Sequence, residues 1–244
     1  MSRLCLLAGF CLLFCSSQAT ADTIVAYGLF DTPGNQATQP PTEDLSPFAT
    51  GQDMVRGGGL NPVDPPFNAN NSFHSNGWAT NAENTPTVVN TGGYVEIGFT
   101  PAPGFGVTLD QLIMGSRSSG SGPAMIGVFT SLDSYTTPIF TIDQSSTPPN
   151  TPFFVNSTID LSSLGDVTDA FSIRFMNVSG DQTADPNRAG EMDEFSAWRI
   201  SDHFDAGNFS DTRITGTLFA IPEPVGSGTV LLLAVGVFLK RRRS

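Results

Sequence analysis

Between Asp22 and Ile221 the chain holds neither lysine nor cysteine. All three cysteines, Cys5, Cys11 and Cys15, fall within the first 15 residues. Beyond them there is no disulfide, no thiol nucleophile and no thiolate metal site, so stability must come from a core, helped at most by bound ions. Setting aside Arg3, Glu223, Lys240 and Arg241, Arg242 and Arg243 leaves 6 arginines against 22 acids, a net charge of −16. Such a field repels nucleic acid and anionic lipid and favours cations, so no nucleic-acid partner is expected. Histidine is nearly absent too: only His74 and His203 exist, and no serine sits in a Gly-x-Ser-x-Gly elbow. A serine hydrolase needs a base beside its nucleophile, and neither histidine has a partner at a useful spacing. Tryptophan (2) and tyrosine (3) are scarce beside 19 phenylalanines, a balance suited to core filling more than to a tyrosine-rich recognition surface.

What remains is a β pattern. Gly, Pro, Thr, Ser, Asn and Asp recur between short apolar runs, and helix formers are sparse. Strands are expected at 23–30, 87–89, 94–100, 108–117, 125–131, 139–143, 153–161, 171–178, 194–200 and 213–220. Alternation is clearest where Tyr94, Glu96 and Gly98 interleave with Val95, Ile97 and Phe99, and where Phe171, Ile173 and Phe175 interleave with Ser172, Arg174 and Met176. Both are half-buried strands with one wet face. Residues 31–86 carry 8 of the 18 prolines, and a structureless loop of that length is uncommon. Short strands or an ordered flap are expected within them. About 200 residues suit a single domain, 22–220, with ample core.

The two ends carry addresses. Arg3, the apolar run 4–14 and the small residues Ala19 and Ala21 form an n-region, an h-region and an A-x-A cleavage site, so 1–21 is expected to be a signal peptide read by the secretion translocon. At the other end, Pro222, Glu223 and Pro224 precede an apolar run over 225–239, then Lys240, Arg241, Arg242 and Arg243. Fifteen helical residues give roughly 22 Å, short of a hydrocarbon core of about 30 Å. This transmembrane helix suits temporary membrane attachment, and the cations stay on the cytoplasmic side. The order of motif, helix and basic cluster over 221–244 resembles the PEP-CTERM sorting signal. That resemblance implies a substrate of an exosortase-type membrane protease, cleaved near the motif and delivered to the cell envelope, cell surface or extracellular matrix.

A second resemblance covers about half of the domain. It runs through Gly104-Phe105-Gly106-Val107-Thr108-Leu109, Ser116-Arg117-Ser118-Ser119-Gly120-Ser121-Gly122-Pro123, Ser131-Leu132-Asp133-Ser134-Tyr135, Ile159-Asp160-Leu161-Ser162 and Phe171-Ser172-Ile173-Arg174-Phe175. The series resembles the ectodomains common in PEP-CTERM proteins, which are similar to carbohydrate-binding modules. It implies an all-β, jelly-roll-like antiparallel β-sandwich, flanked by the signal peptide and the C-terminal hydrophobic helix. Met192-Asp193-Glu194-Phe195 and Ile214-Thr215-Gly216-Thr217-Leu218 take the places of its two closing strands, and the residues between them depart from the pattern.

Candidate site residues are few. Asp185, Asn187, Glu191 and Asp193, with Asp181 nearby, crowd hard oxygen ligands into a short acidic stretch. That suits a structural calcium ion, and it equally suits a solvated acidic loop. Trp78 lies in a polar, loop-like setting and is the candidate ring for stacking on a sugar; both it and Trp198 also suit the core. Catalytic residues are not assigned, since 22 carboxylates make some close pair inevitable. The leading expectation is a non-enzymatic surface or matrix protein that binds exopolysaccharide. A secreted glycan-active enzyme and a purely structural coat protein remain open beside it.

Overall fold

The computed structural model describes residues 21–57, 59–63, 70–78, 93–145, 154–179, 183–185, 187, 195–205 and 207–222. Two stacked antiparallel sheets make a β-sandwich. In chain order the strands are β1 (Asp22–Tyr27), β2 (Glu43–Asp44), β3 (Ala49–Arg56), β4 (Asn61–Pro62), β5 (Phe73–Asn76), β6 (Tyr94–Pro101), β7 (Phe105–Ser118) and β8 (Met125–Thr130). They continue as β9 (Phe140–Asp143), β10 (Val155–Asp160), β11 (Asp166–Val167), β12 (Phe171–Asn177), β13 (Ala197–Ser201), β14 (His203–Asp205), β15 (Asn208–Ser210) and β16 (Thr212–Ala220). The larger sheet runs β2-β1-β16-β7-β13-β5-β4, with β10 and β11 also on β7; the smaller runs β3-β6-β12-β8-β9. The expectation of short strands within 31–86 is met by β2, β3, β4 and β5. The expected strand at 87–89 lies outside the described residues, as do Ala19, Glu223, Pro224, the run 225–239 and Arg241, Arg242 and Arg243.

The alternation in β6 and β12 does what period two demands. Phe171, Ile173 and Phe175 stand opposite Phe99, Ile97 and Val95 in register, and all six are fully buried. The opposite face of the same two strands pairs Arg174 with Glu96 in an ion pair, and the guanidinium lies 3.9 Å from the ring centres of both Tyr94 and Tyr135. Each fully buried apolar side chain contributes about 1.5–3 kcal/mol against exposure.

Tyr27 ties the sheets together through the core. Its hydroxyl donates to the Gln52 carbonyl (2.7 Å) and accepts from the Gly98 N–H (3.1 Å). Gly98 is required there, because a Cβ would come within 2.4 Å of the Phe171 carbonyl oxygen. Gly216 in β16 is held by the same logic: its Cβ would meet the Thr108 oxygen at 2.6 Å, beside a register shift in the β16–β7 pairing.

Strand β7 has two edges, and the register shows how they are shared. β10 lies along one of them. β16 and β13 follow one another along the other, pairing with residues 105–113 and 115–118. Where the chain passes from β13 to β16 it leaves the sheet as the β14–β15 hairpin. Thr212 closes that gap by donating its hydroxyl to the Ser201 carbonyl at 2.8 Å.

Candidate functional site

The floor of the candidate site follows from the alternation of β13. Trp198 and Ile200 enter the core, so Arg199 and Ser201 point to the outer face of the larger sheet. Register then places Arg199 directly opposite Arg117 of β7 on one side and His74 of β5 on the other. Directly opposed residues sit about 4.5–5.5 Å apart at Cβ. Burial, with the neighbouring Arg117 cation adding to it, pulls Arg199 down to about 10. His74 is pulled down to about 3, chiefly by burial and then by the Arg199 and Arg56 charges. A neutral, buried imidazole of such low basicity is poorly placed to act as a general base near neutral pH. The Phe154 ring completes the floor, with the Arg199 guanidinium 4.9 Å from its centre.

The wall is built by Asp202, at the point where β13 gives way to the hairpin. Its two carboxylate oxygens accept the Leu29 N–H (2.9 Å) and the Phe30 N–H (3.0 Å). This carboxylate fastens the turn after β1 to the start of the hairpin. Burial pushes Asp202 up to about 6; the bonds from Leu29, Phe30 and Thr212 oppose that rise and the Asp211 charge adds to it. With its backbone pinned, Phe30 turns its ring outward and is 56 % exposed, as is Phe209 of β15 at 52 %. The two ring centres are 5.8 Å apart, and Phe204 packs on Phe209 at 4.8 Å. Asn156 of β10 holds the hairpin against the sheet, accepting from the Phe204 N–H and donating to its carbonyl. On the far side, Asn71 accepts the Asp31 N–H at 2.8 Å and donates its own N–H to the Thr32 carbonyl at 2.9 Å.

These parts enclose a cavity of about 220 Å³ between Phe30, Phe209 and Phe154, with Arg117, Arg199, Ser201, Asp202, Asn70 and Asn71 as its polar lining. Exposed ring faces next to guanidinium and amide groups suit a ligand with one apolar face and many hydroxyls.

Trp78 has a different role from the one its polar surroundings suggest. It is 1 % exposed, its ring stands edge-on to Trp198 at 5.5 Å, and its indole N–H donates to the Ser75 carbonyl at 2.9 Å. A sugar cannot reach it in this fold, whereas Phe30 and Phe209 leave their rings exposed. Asp185 and Asn187 are brought together: one Asp185 carboxylate oxygen accepts the Asn187 N–H (2.9 Å) and the Asn187 side-chain amide (3.1 Å). Glu191, Asp193 and Asp181 lie outside the described residues. Ala21 and Pro222 are both exposed, one residue before β1 and two after β16.

No family model, curated protein or solved structure matches the chain.

Proposed function

We infer that this is an exported, non-enzymatic surface or matrix protein that binds polysaccharide through the Phe30–Phe209 cleft. The observation that carries the reading is the exposed ring pair beside the polar floor of Arg117 and Arg199. Cleavage of a glycosidic bond needs two carboxyls, roughly 5 to 10 Å apart. The cleft lining supplies Asp202, with both oxygens engaged by backbone N–H groups, which favours binding over hydrolysis.

The jelly-roll reading is supported by how the strands nest. Take β1, β6, β7, β8, β9, β10, β12 and β16 in order: the first pairs with the last, the second with the seventh, the third with the sixth and the fourth with the fifth. One long antiparallel ribbon rolled around a core gives that nesting, as in jelly-roll modules. β3, β5 and β13 extend the two sheets beyond it.

The test is retention of purified protein on envelope polysaccharides extracted from the source cell, with and without calcium. The double variant Phe30→Ala/Phe209→Ala should bind about tenfold more weakly, the loss of two ring contacts. Equal retention of the variant would remove this cleft from the function. Loss of binding on chelation would tie the Asp185 to Asp193 stretch to a calcium ion.

The sorting part of the proposal has its own readout. Exported protein from a host with the exosortase-type protease should end close to Pro222 by intact mass and lack Arg241, Arg242 and Arg243. A full-length tail on exported protein would refute processing. Ile221 still donates its N–H to the Gly104 carbonyl at 2.8 Å, so the folded domain reaches within one residue of the motif.

A further inference from the structure

The size and walls of the cleft limit how much of a polymer it can hold. Its volume is about 220 Å³. Pockets that take a whole drug-sized ligand run from roughly 300 to 1,000 Å³. At roughly 30 Å³ per water, the space is that of about seven waters, which matches the bulk of one hexose residue and not of two. Its sides are fastened. The Asn156 side chain holds Phe204, and with it the β14–β15 hairpin, against the sheet. Asn71 accepts the Asp31 N–H and donates its own to the Thr32 carbonyl, which ties residues 70–72 to the turn after β1. Asp202 then joins that turn to the start of the hairpin through the Leu29 and Phe30 N–H groups.

A groove that follows a main chain is open at both ends and offers stacking faces in succession. The rings here form no such row. Phe30 and Phe209 touch, with centres 5.8 Å apart and planes 42° from parallel. Phe204 meets Phe209 at 47° and lies outside the lining. Phe154 already has the Arg199 guanidinium 4.9 Å from its centre. Two consecutive residues of an extended chain cannot both lie flat on rings so tilted. The notch between Phe30 and Phe209 suits the apolar face of one.

We propose that the cleft recognises a single terminal sugar residue, at the end of a chain or of a side branch, and not a stretch of main chain. The proposal rests on the polysaccharide reading and adds which part of the polymer is bound. With its sides closed, the cavity leaves room for one glycosidic link to lead out to solvent, so the bound residue is a terminus. One residue brings few contacts, which sets a dissociation constant of the order of 1 mM.

The experiment measures displacement of the purified protein from the extracted envelope polysaccharide. The competitors are the methyl glycosides obtained from that polysaccharide by methanolysis and the short oligosaccharides obtained by its partial hydrolysis. At equal molarity the two should displace the wild type within about twofold of each other, because each molecule offers one terminus. A main-chain groove would instead favour the oligosaccharides by about tenfold or more, since each further residue adds contacts. Phe209→Ala marks the site: its exposed ring should be lost with the thermal midpoint nearly in place, and retention should weaken about threefold. Displacement by oligosaccharides alone, or by neither competitor, with retention still weakened in Phe209→Ala, would overturn the single-residue proposal and leave the polysaccharide reading standing. Equal retention of the wild type and Phe209→Ala, or no retention of either, would overturn both.

Discussion

Trp198→Ala is expected to cost about 3–5 kcal/mol, the range for emptying a buried indole site. Against a typical total of about 5–15 kcal/mol, that brings the domain close to unfolding at 37 °C. Trp198 is fully buried and touches both Trp78 and Phe175, so it joins β13 and the turn after β5 on one sheet to β12 of the other. The cavity would therefore open between the layers, under the floor of the cleft. Trp198→Phe should lose far less, within about 1.5 kcal/mol, because it retains most of the volume. It also removes an indole N–H that is buried with no hydrogen-bond partner among the described residues. Urea titration of both variants checks this. An Ala variant with an unchanged midpoint would show that Trp198 is not the joint described.

The second large effect is a pH dependence with two opposed parts. His74 has its folded basicity lowered from 6.5 to about 3. As pH falls below 6.5 the unfolded chain takes up this proton and the folded one does not, so stability is lost down to about 3. At pH 5 the loss is about 2 kcal/mol. Asp202 behaves in reverse, because its folded value is raised from 3.8 to about 6. The folded state takes the proton first, and stability is gained as pH drops from about 6 to 3.8. Discounted for solvent in the cleft, this offsets about 1 kcal/mol at pH 5. Relative to the wild type, acidification from pH 7 to pH 5 should therefore destabilise Asp202→Asn and spare His74→Gln. The measured quantity is the change in unfolding free energy between the two pH values for each variant, which cancels differences in absolute stability. Parallel changes in all three proteins would contradict the assignment of either group.

Sequence reasoning reads the fold well wherever period two is clean. β6, β7, β8, β9, β10, β12 and β16 all fall within a few residues of their expected limits; most put apolar side chains on one face and polar ones on the other, while β8 is a short apolar run buried on both. β3 is invisible to that test: Ala49-Thr50-Gly51-Gln52-Asp53-Met54-Val55-Arg56 has few apolar residues, and it is held at the sheet edge by pairing with β6. The site was less legible still. Its parts lie in the turn after β1, the segment before β5, the strand β13 and the hairpin β14–β15, which approach only once the sandwich has closed. The resemblance could not place the residues between Phe195 and Ile214, and those residues build the cleft wall. A local cue did exist: Phe204 and Phe209 flank a turn at Gly207, whose φ is 91°, and two aromatics across a tight turn mark an exposed hairpin. The arginine pair had no local cue, since register between β7 and β13 is a tertiary property. Trp78 takes the core place that was open to it beside the stacking one, and its polar neighbours in sequence did not decide between them, because they do not predict what packs over an indole.

The pairing of β1 with β16 also sets how the molecule carries load. β1 runs from Asp22 toward the cleft, and β16 runs from Thr212 beside it to Ala220, about 27 Å away at the opposite end. On the proposed function, a polymer held in the cleft and a tail held in the membrane would pull along the length of β16. That strand lies between β1 and β7, and their hydrogen bonds run across the strand direction. The force is met in shear, by many bonds at once, rather than by peeling them apart in turn.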